Sequence, residues 1–163
     1  VFEHEKRPPV VPNLANVDWG VLDYFGWIHP AGHQGYVVVP LANDEIRGLV
    51  LRRSMASVRK PRFEMCSWCN HVHQSGGTAM FSTIVRGSDE RKTVGNLMCR
   101  NLDCSLRIRN LCSDPPSYMG ETIDLGNKVS RLQNSLYRFL HRSNSLWRIA
   151  YATPCDSPQF SCK

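Results

Sequence analysis

The sequence lacks the patterns that mark membrane segments, secretion signals and several classes of enzyme. None of its apolar runs is long enough to cross a bilayer, and its start, Val-Phe-Glu-His-Glu-Lys-Arg-Pro-Pro, does not resemble a signal peptide. Gly-x-Ser-x-Gly, His-Glu-x-x-His and phosphate-binding loop motifs are absent, and no segment repeats. The Pro-Cys-x-x-Cys signature of zinc deaminases is also missing, because Met65 precedes Cys66. These absences argue against an enzyme.

Composition indicates one basic domain in a reducing compartment. The chain has 163 residues, near the modal size of a single domain, with a net charge of +6 and a pI near 9.1. Such a charge favours an acidic partner, either RNA or an acidic protein. Seven cysteines is an odd number, whereas secreted disulfide scaffolds typically carry an even set in a shorter chain. We therefore predict a cytoplasmic protein that uses its cysteines for metal.

Four cysteines in two pairs form the most informative motif. Cys66-Ser-Trp-Cys69 and Cys99-Arg-Asn-Leu-Asp-Cys104 have a spacing that suits tetrahedral coordination of one zinc ion. Four thiolates fill every coordination position and leave none for water, so we expect the zinc to be structural. The cysteines left over should each tolerate serine: Cys112, Cys155 and Cys162.

The predicted fold class is α+β, with a small mixed or antiparallel sheet, a treble-clef four-cysteine zinc finger and a C-terminal amphipathic helix. β-Branched and alternating segments predict two pairs of strands, at residues 35–40 with 46–52 and at 78–86 with 92–98. A short helix is expected in 101–110, with Cys104 on its first turn, so that the positive end of the helix lies beside the thiolates. The predicted division of the chain is an extended arm (1–16), a β-rich domain (17–112) containing the finger (63–112), a linker (113–121), a helix (122–149) and a disordered tail (150–163).

Two segments before the finger allow two interpretations each. The aromatic and aliphatic residues of 19–28 favour a short helix that anchors the core, with a partner-binding patch as the alternative. The arginines and lysine of 52–62 favour an exposed basic linker, with a contact for an acidic partner as the alternative.

The strongest helical pattern runs from about residue 122 to 142. Apolar residues at steps of four and three form one stripe: Leu125, Val129, Leu132, Leu136 and Phe139. Basic residues form a second stripe along its edge: Lys128, Arg131, Arg138 and Arg142. The helix could dock on the domain with its arginine stems over apolar surface, or its basic face could reach a partner. Both remain open.

The motifs together resemble the treble-clef domain of elongation factor G-binding proteins, the family that includes the FusB-type fusidic acid resistance proteins. Segments upstream, including 22–27 and 48–52, resemble its single-domain actinobacterial members, so that the resemblance covers about 14–142. The resemblance is carried by these segments: Cys66 to His73, Gly76-Gly77, Met80-Phe81, Thr93-Val94-Gly95-Asn96 and Asp103-Cys104-Ser105-Leu106.

The resemblance implies a non-enzymatic zinc protein that binds the translational GTPase EF-G and assists its release from the ribosome. It assigns the ligand roles to Cys66, Cys69, Cys99 and Cys104. FusB-type proteins have an additional N-terminal helical domain that this sequence does not show. From their position near the finger, we expect five residues to contact the partner: Phe81, Arg86, Arg91, Lys92 and Arg100.

Two other functions fit parts of the sequence. An RNA- or ribosome-binding zinc finger would use the same basic charge, with the helical stripe from Lys128 to Arg142 as its contact. A treble-clef nuclease would need His71 and His73 at a catalytic cation, but four thiolates already complete the zinc shell. We therefore expect both histidines to be ordinary strand or turn residues.

Overall fold

The structure, a computed structural model, describes residues 10–13, 15, 17–41, 45–54, 62–74, 76–112 and 115–145. These residues contain strands β1 to β7 and helices α1 and α2: β1 (Phe25–Ile28), β2 (Gln34–Pro40), β3 (Ile46–Ser54), β4 (Phe63–Met65), β5 (Val72–Gln74), β6 (Thr78–Ile84), β7 (Thr93–Cys99), α1 (Cys104–Arg107) and α2 (Leu125–Arg142). Within the described ranges, no helix is long and apolar enough to span a membrane.

Five antiparallel strands form the main sheet in the order β1-β2-β3-β6-β7, and β4 pairs with β5 in a separate hairpin. The two predicted strand pairs are confirmed as β2 with β3 and β6 with β7. Among the described residues, three register pairs join β3 to β6, between Arg52–Ser54 and Met80–Ser82. The β4–β5 hairpin lies between these two strands in the chain.

One face of the sheet forms the core. Alternate residues along the strands are buried there, as expected from the two-residue period of a strand, and α2 adds its apolar stripe to the same cluster. The main members are Val37, Val39, Leu49, Leu51, Phe81, Met98, Leu132, Leu136, Phe139 and Leu140. The structure thus supports the docked interpretation of the helix.

Helix α2 begins three residues later than the predicted helical pattern of 122–142 and ends with it. It begins at Leu125 because the Asp124 side chain accepts a hydrogen bond from the Asn127 backbone N–H (3.0 Å) and so caps the first turn. It ends at Arg142, and Asn144 then takes a left-handed conformation with φ of 55°. Residues 146–149 of the predicted helix and the predicted tail lie outside the described residues.

Within the aromatic cluster of 19–28, Phe25–Ile28 form strand β1 and residues 19–24 are turns, bends and irregular backbone, so the predicted helix there was wrong. Phe25 and Trp27 lie on one side of β1 at a spacing of two, and their ring centroids are 5.6 Å apart. Trp27 also stacks on Tyr36 of β2 at 5.2 Å, and its indole N–H donates to the Val10 carbonyl oxygen (2.9 Å). Ring pairs across neighbouring strands stabilise a strand. In a helix, the same aromatic side chains would point away from one another.

The predicted basic linker is partly wrong as well, because its first residues belong to β3. Arg52, Arg53 and Ser54 pair with β6, and the Arg53 guanidinium donates to the Gly32 carbonyl oxygen (2.9 Å). Residues 55–61 lie outside the described residues. The remaining boundaries of the predicted arm, domain and linker stay predictions.

A buried ion pair ties the segment before β1 to both helices. The Asp23 Oδ2 atom accepts hydrogen bonds from Arg109 Nη1 (2.6 Å) and Ser105 Oγ (2.9 Å), and its Oδ1 accepts one from Gln133 Nε2 (3.0 Å). The side chain of Asp23 is 2 % exposed and that of Arg109 is 16 % exposed. The carboxylate is therefore compensated inside the protein and not by water.

Candidate metal centre

The first cysteine pair lies in a tight knuckle after β4. The chain reverses between Cys66 and Asn70, where the Asn70 backbone N–H donates to the Cys66 carbonyl oxygen (2.9 Å) and Asn70 takes a left-handed φ of 58°. The Trp68 backbone N–H lies 3.4 Å from the Cys66 sulfur and donates to it. The knuckle thus presents a backbone donor to a sulfur.

The second pair spans the end of β7 and the start of α1. Cys99 is the last residue of β7, and Cys104 is the first residue of α1, as predicted. Between them Leu102 has φ of 59°, and its backbone N–H donates to the Cys99 carbonyl oxygen (2.9 Å). This tight turn brings the sulfur atoms of Cys99 and Cys104 close to those of the knuckle cysteines, Cys66 and Cys69.

The four sulfur atoms form one compact group. They all lie within 4.8 Å of one another, with 3.5 Å between Cys66 and Cys104 and 3.5 Å between Cys69 and Cys99. Zinc–sulfur bonds of about 2.3 Å in a tetrahedron require sulfur separations of about 3.8 Å, close to these distances. All four residues are buried, so the donor set fits a single structural zinc ion.

Large aromatic side chains enclose this sulfur group. Trp68 is fully buried and makes edge contacts with Tyr24 (5.3 Å) and Phe139 (5.5 Å). The Tyr24 hydroxyl oxygen accepts a hydrogen bond from the Cys104 backbone N–H (3.2 Å). Burial, together with the nearby Cys104, raises the pKa of Tyr24 well above its usual value. Trp68 therefore shields the centre, and its ring is not accessible for stacking on a base.

The two histidines after the knuckle have different surroundings. His73 lies in β5, is 9 % exposed, and places Nε2 at 3.2 Å from the Cys99 sulfur. His71 is half-buried, and its ring centroid lies 4.4 Å from that of His73. Burial, followed by the charges of His73 and Arg107, lowers the pKa of His71 to about 4. His73 is a strand residue as expected, but no sequence signal indicated its contact with sulfur.

The basic stripe of α2 is partly used inside the protein. Arg131 Nη2 donates to the Cys69 carbonyl oxygen (3.0 Å) and to Glu121 Oε2 (2.8 Å), and Lys128 Nζ lies 4.0 Å from the same carboxylate oxygen. Arg138 and Arg142 are exposed. The stripe therefore helps to fix the helix against the knuckle, which weakens it as a continuous contact for RNA.

The five predicted contact residues do not form one surface. Phe81 is fully buried in the core, because β6 turns alternate residues inward, so its ring cannot anchor a partner. Arg91 and Lys92 are exposed in the β6–β7 turn, and Arg86 is half-buried nearby. Arg100 is exposed just after the other end of β7.

A knuckle, a β-hairpin and a short helix that share four cysteines define a treble-clef zinc finger, here joined to an antiparallel sheet. The chain belongs to the FBP C-terminal treble-clef zinc-finger family, whose family model matches residues 3–142. In the search of curated proteins, none matched this sequence.

Among solved structures, the chain is similar to the fusidic acid resistance protein FusC. The TM-score is 0.51 at 18 % sequence identity, and the similarity covers 86 % of this chain and 54 % of FusC. At this identity the likeness shows the fold. The chain spans about half the length of FusC.

Proposed function

We propose that this protein is a non-enzymatic binding protein that associates with the translational GTPase EF-G and promotes its release from the ribosome, as fusidic acid resistance proteins of the FusB type do. The observation that carries this proposal is the family match over residues 3–142. The fold shared with FusC supports it, because FusC is itself a fusidic acid resistance protein. The four-sulfur site supports a binding role, because its complete shell leaves no position for a reacting water.

The outer side of the β6–β7 hairpin is the surface that we propose for this contact. Met80 and Ile84 lie on the side of β6 opposite Phe81 and are 45 % and 44 % exposed. Gly95 of β7 lies beside them, since a Cβ atom there would be 3.2 Å from Ser82 Cβ and in van der Waals contact with the Met80 sulfur (3.4 Å). These exposed side chains replace Phe81 as the apolar anchors of the interface.

Basic side chains lie beside these apolar side chains. Arg52 of β3 is exposed and in register with Ser82. Arg91 and Lys92 are exposed in the turn next to Ile84, where Asp89, which pairs with Arg91 (3.5 Å), and Glu90 offset their charge, so that Arg52 supplies the excess positive charge. None of the five strands of the main sheet contains an aspartate or a glutamate. Such a surface favours an acidic protein partner, speeds encounter and makes association dependent on salt.

The zinc site is connected to this surface through strand β7. The Ser67 backbone N–H of the knuckle donates to the Leu97 carbonyl oxygen of β7 (2.8 Å). Cys99 ends the same strand. Loss of the metal would therefore disturb β7 and reduce binding indirectly, without any contact between zinc and the partner.

The test is a pull-down of the zinc-loaded protein with the EF-G of the same organism and, separately, with ribosomes, across a salt series. We expect retention of isolated EF-G that weakens as salt rises. The double variant Ile84→Glu/Lys92→Glu should lose it, whereas Leu111→Glu, which changes another exposed residue outside the hairpin, should not. Zinc content and circular dichroism of each variant confirm that the fold is kept.

The outcomes separate the proposed function from its rival. Binding to ribosomes alone, with a steep loss in salt, would replace EF-G by RNA as the partner. If the double variant still binds EF-G, the hairpin is not the contact surface, although the proposed function stands. If EF-G binds, its rate of release from ribosomes stalled with fusidic acid shows whether release is promoted.

A further inference from the structure

The imidazole of His73 lies against one sulfur of the zinc site. Its Nε2 atom is 3.2 Å from the Cys99 sulfur, within hydrogen-bonding distance for sulfur. The two residues come from different strands, β5 and the end of β7, so the fold of the finger creates this contact. The contact is separate from the proposed EF-G surface, and its role in the zinc site does not depend on EF-G binding.

The surrounding backbone holds this imidazole in place. His73 is in register with Glu64 in the β4–β5 hairpin, and the residue is 9 % exposed. Gly77 passes so close that a Cβ atom there would lie 2.4 Å from His73 Cβ and 2.6 Å from its Cγ and Nδ1. Any residue other than glycine at this position would therefore push the ring away from the sulfur.

Electrostatics gives the contact a role. A zinc ion with four thiolates carries a net charge of about −2, and here it would lie among buried residues. Hydrogen bonds to the sulfurs lower the cost of that charge. Trp68 supplies such a donor to Cys66, and His73 is placed to supply one to Cys99.

We propose that His73 is a positioning residue of the zinc centre: its Nε2–H donates to the Cys99 thiolate and slows the loss of zinc. The hydrogen bond withdraws electron density from this sulfur. Cys99 then becomes a poorer nucleophile and a poorer base, so proton attack, alkylation or oxidation at Cys99 is slower. A ring of the same size without the N–H would fill the space and leave the sulfur unprotected.

The experiment measures zinc transfer from the intact protein to a chromogenic chelator at fixed pH. His73→Phe should lose zinc about tenfold to a hundredfold faster, the usual effect of removing such a partner of a metal ligand. His73→Gln, whose amide can place an N–H near the same point, should recover part of the difference. His141→Phe is the matched control, because His141 is exposed in the last turn of α2, outside the finger. Its rate of zinc release should stay within about twofold of that of the unaltered protein, well below the effect expected for His73→Phe.

A second readout distinguishes a hydrogen bond from simple packing. In the unaltered protein loaded with cadmium, nitrogen NMR should show a neutral His73 ring with its proton on Nε2 and a coupling from that proton to the metal through the Cys99 sulfur. This measurement also serves if His73→Phe does not fold. A bare Nε2, direct bonding of Nε2 to the metal, or a release rate unchanged in His73→Phe would each overturn the proposal.

Discussion

Replacing Arg109 by methionine should destabilise the protein more than replacing both members of its ion pair with Asp23. The single change leaves the Asp23 carboxylate 2 % exposed and without its positive partner. Removing one partner of a buried pair costs about 3–5 kcal/mol. We expect the lower end, about 3 kcal/mol, because Ser105 Oγ and Gln133 Nε2 still donate to the carboxylate.

Neutralising the other partner, Asp23, should reduce the stability less than Arg109→Met does. In Asp23→Asn the side chain is neutral, and Arg109, at 16 % exposure, retains some contact with water and its bond to the Ser105 carbonyl oxygen (2.9 Å). We expect a loss of about 1–2 kcal/mol. The double variant Asp23→Asn/Arg109→Met no longer buries an unpaired charge, so it should be more stable than Arg109→Met alone.

Urea denaturation at saturating zinc measures all four proteins of this cycle. With a dependence of about 2 kcal/mol per molar urea, the expected loss in Arg109→Met moves the midpoint by about 1.5 M. The coupling between the two sites should exceed the loss in Asp23→Asn, and so be about 2 kcal/mol or more. Additive losses, or a loss in Arg109→Met below about 1 kcal/mol, would show that solvent screens the pair and would refute the reasoning.

Two further predictions concern the helix and the metal. Leu136→Ala should cost about 2–5 kcal/mol, because Leu136 is 1 % exposed in the core. Leu125→Ala, at a position that is 50 % exposed, should cost less than about 1 kcal/mol, and equal midpoints in urea would contradict the assigned helix face. Removing zinc with a chelator, or replacing Cys99 by serine, should unfold the finger, because zinc binding contributes about 10 kcal/mol or more to such folds. Protein NMR alongside zinc analysis checks this, and native signals from β7 in metal-free protein would contradict it.

The sequence predicted the elements whose signals are local. The β-branched run of β2 and the alternation of β6 and β7 determine strands by themselves, and the two cysteine pairs determine a metal site by their spacing. The helix was found from its apolar stripe, but its ends depend on a cap at Asp124 and a left-handed residue at Asn144. Such ends shift by a few residues without changing the pattern.

The errors arose where tertiary pairing decides the outcome. Alternation in β6 separates Met80 and Ile84 from Phe81, yet both sets are apolar. Which set is buried depends on tertiary packing, which the alternation does not reveal. The end of the aromatic cluster, Phe25–Ile28, forms a strand, because β2 offers Tyr36 as a stacking partner for Trp27. The contact of His73 with sulfur likewise needs the register of β4 and β5, which no local signal reveals.

The pairing of β3 with β6 has a consequence for how a newly made chain assembles. β1, β2 and β3 follow one another in the chain, and each pairs with the next, so this part needs only contacts between near neighbours in the chain. β6 meets β3 through Arg52–Ser54 and Met80–Ser82 only after the chain has passed through β4, the knuckle and β5. Closing such a long loop costs entropy before any contact repays it, which makes the step slow. Since the cysteines of the zinc site lie both within this excursion and beyond it, capture of the ion shortens the search, and zinc supply would set how fast the sheet is completed.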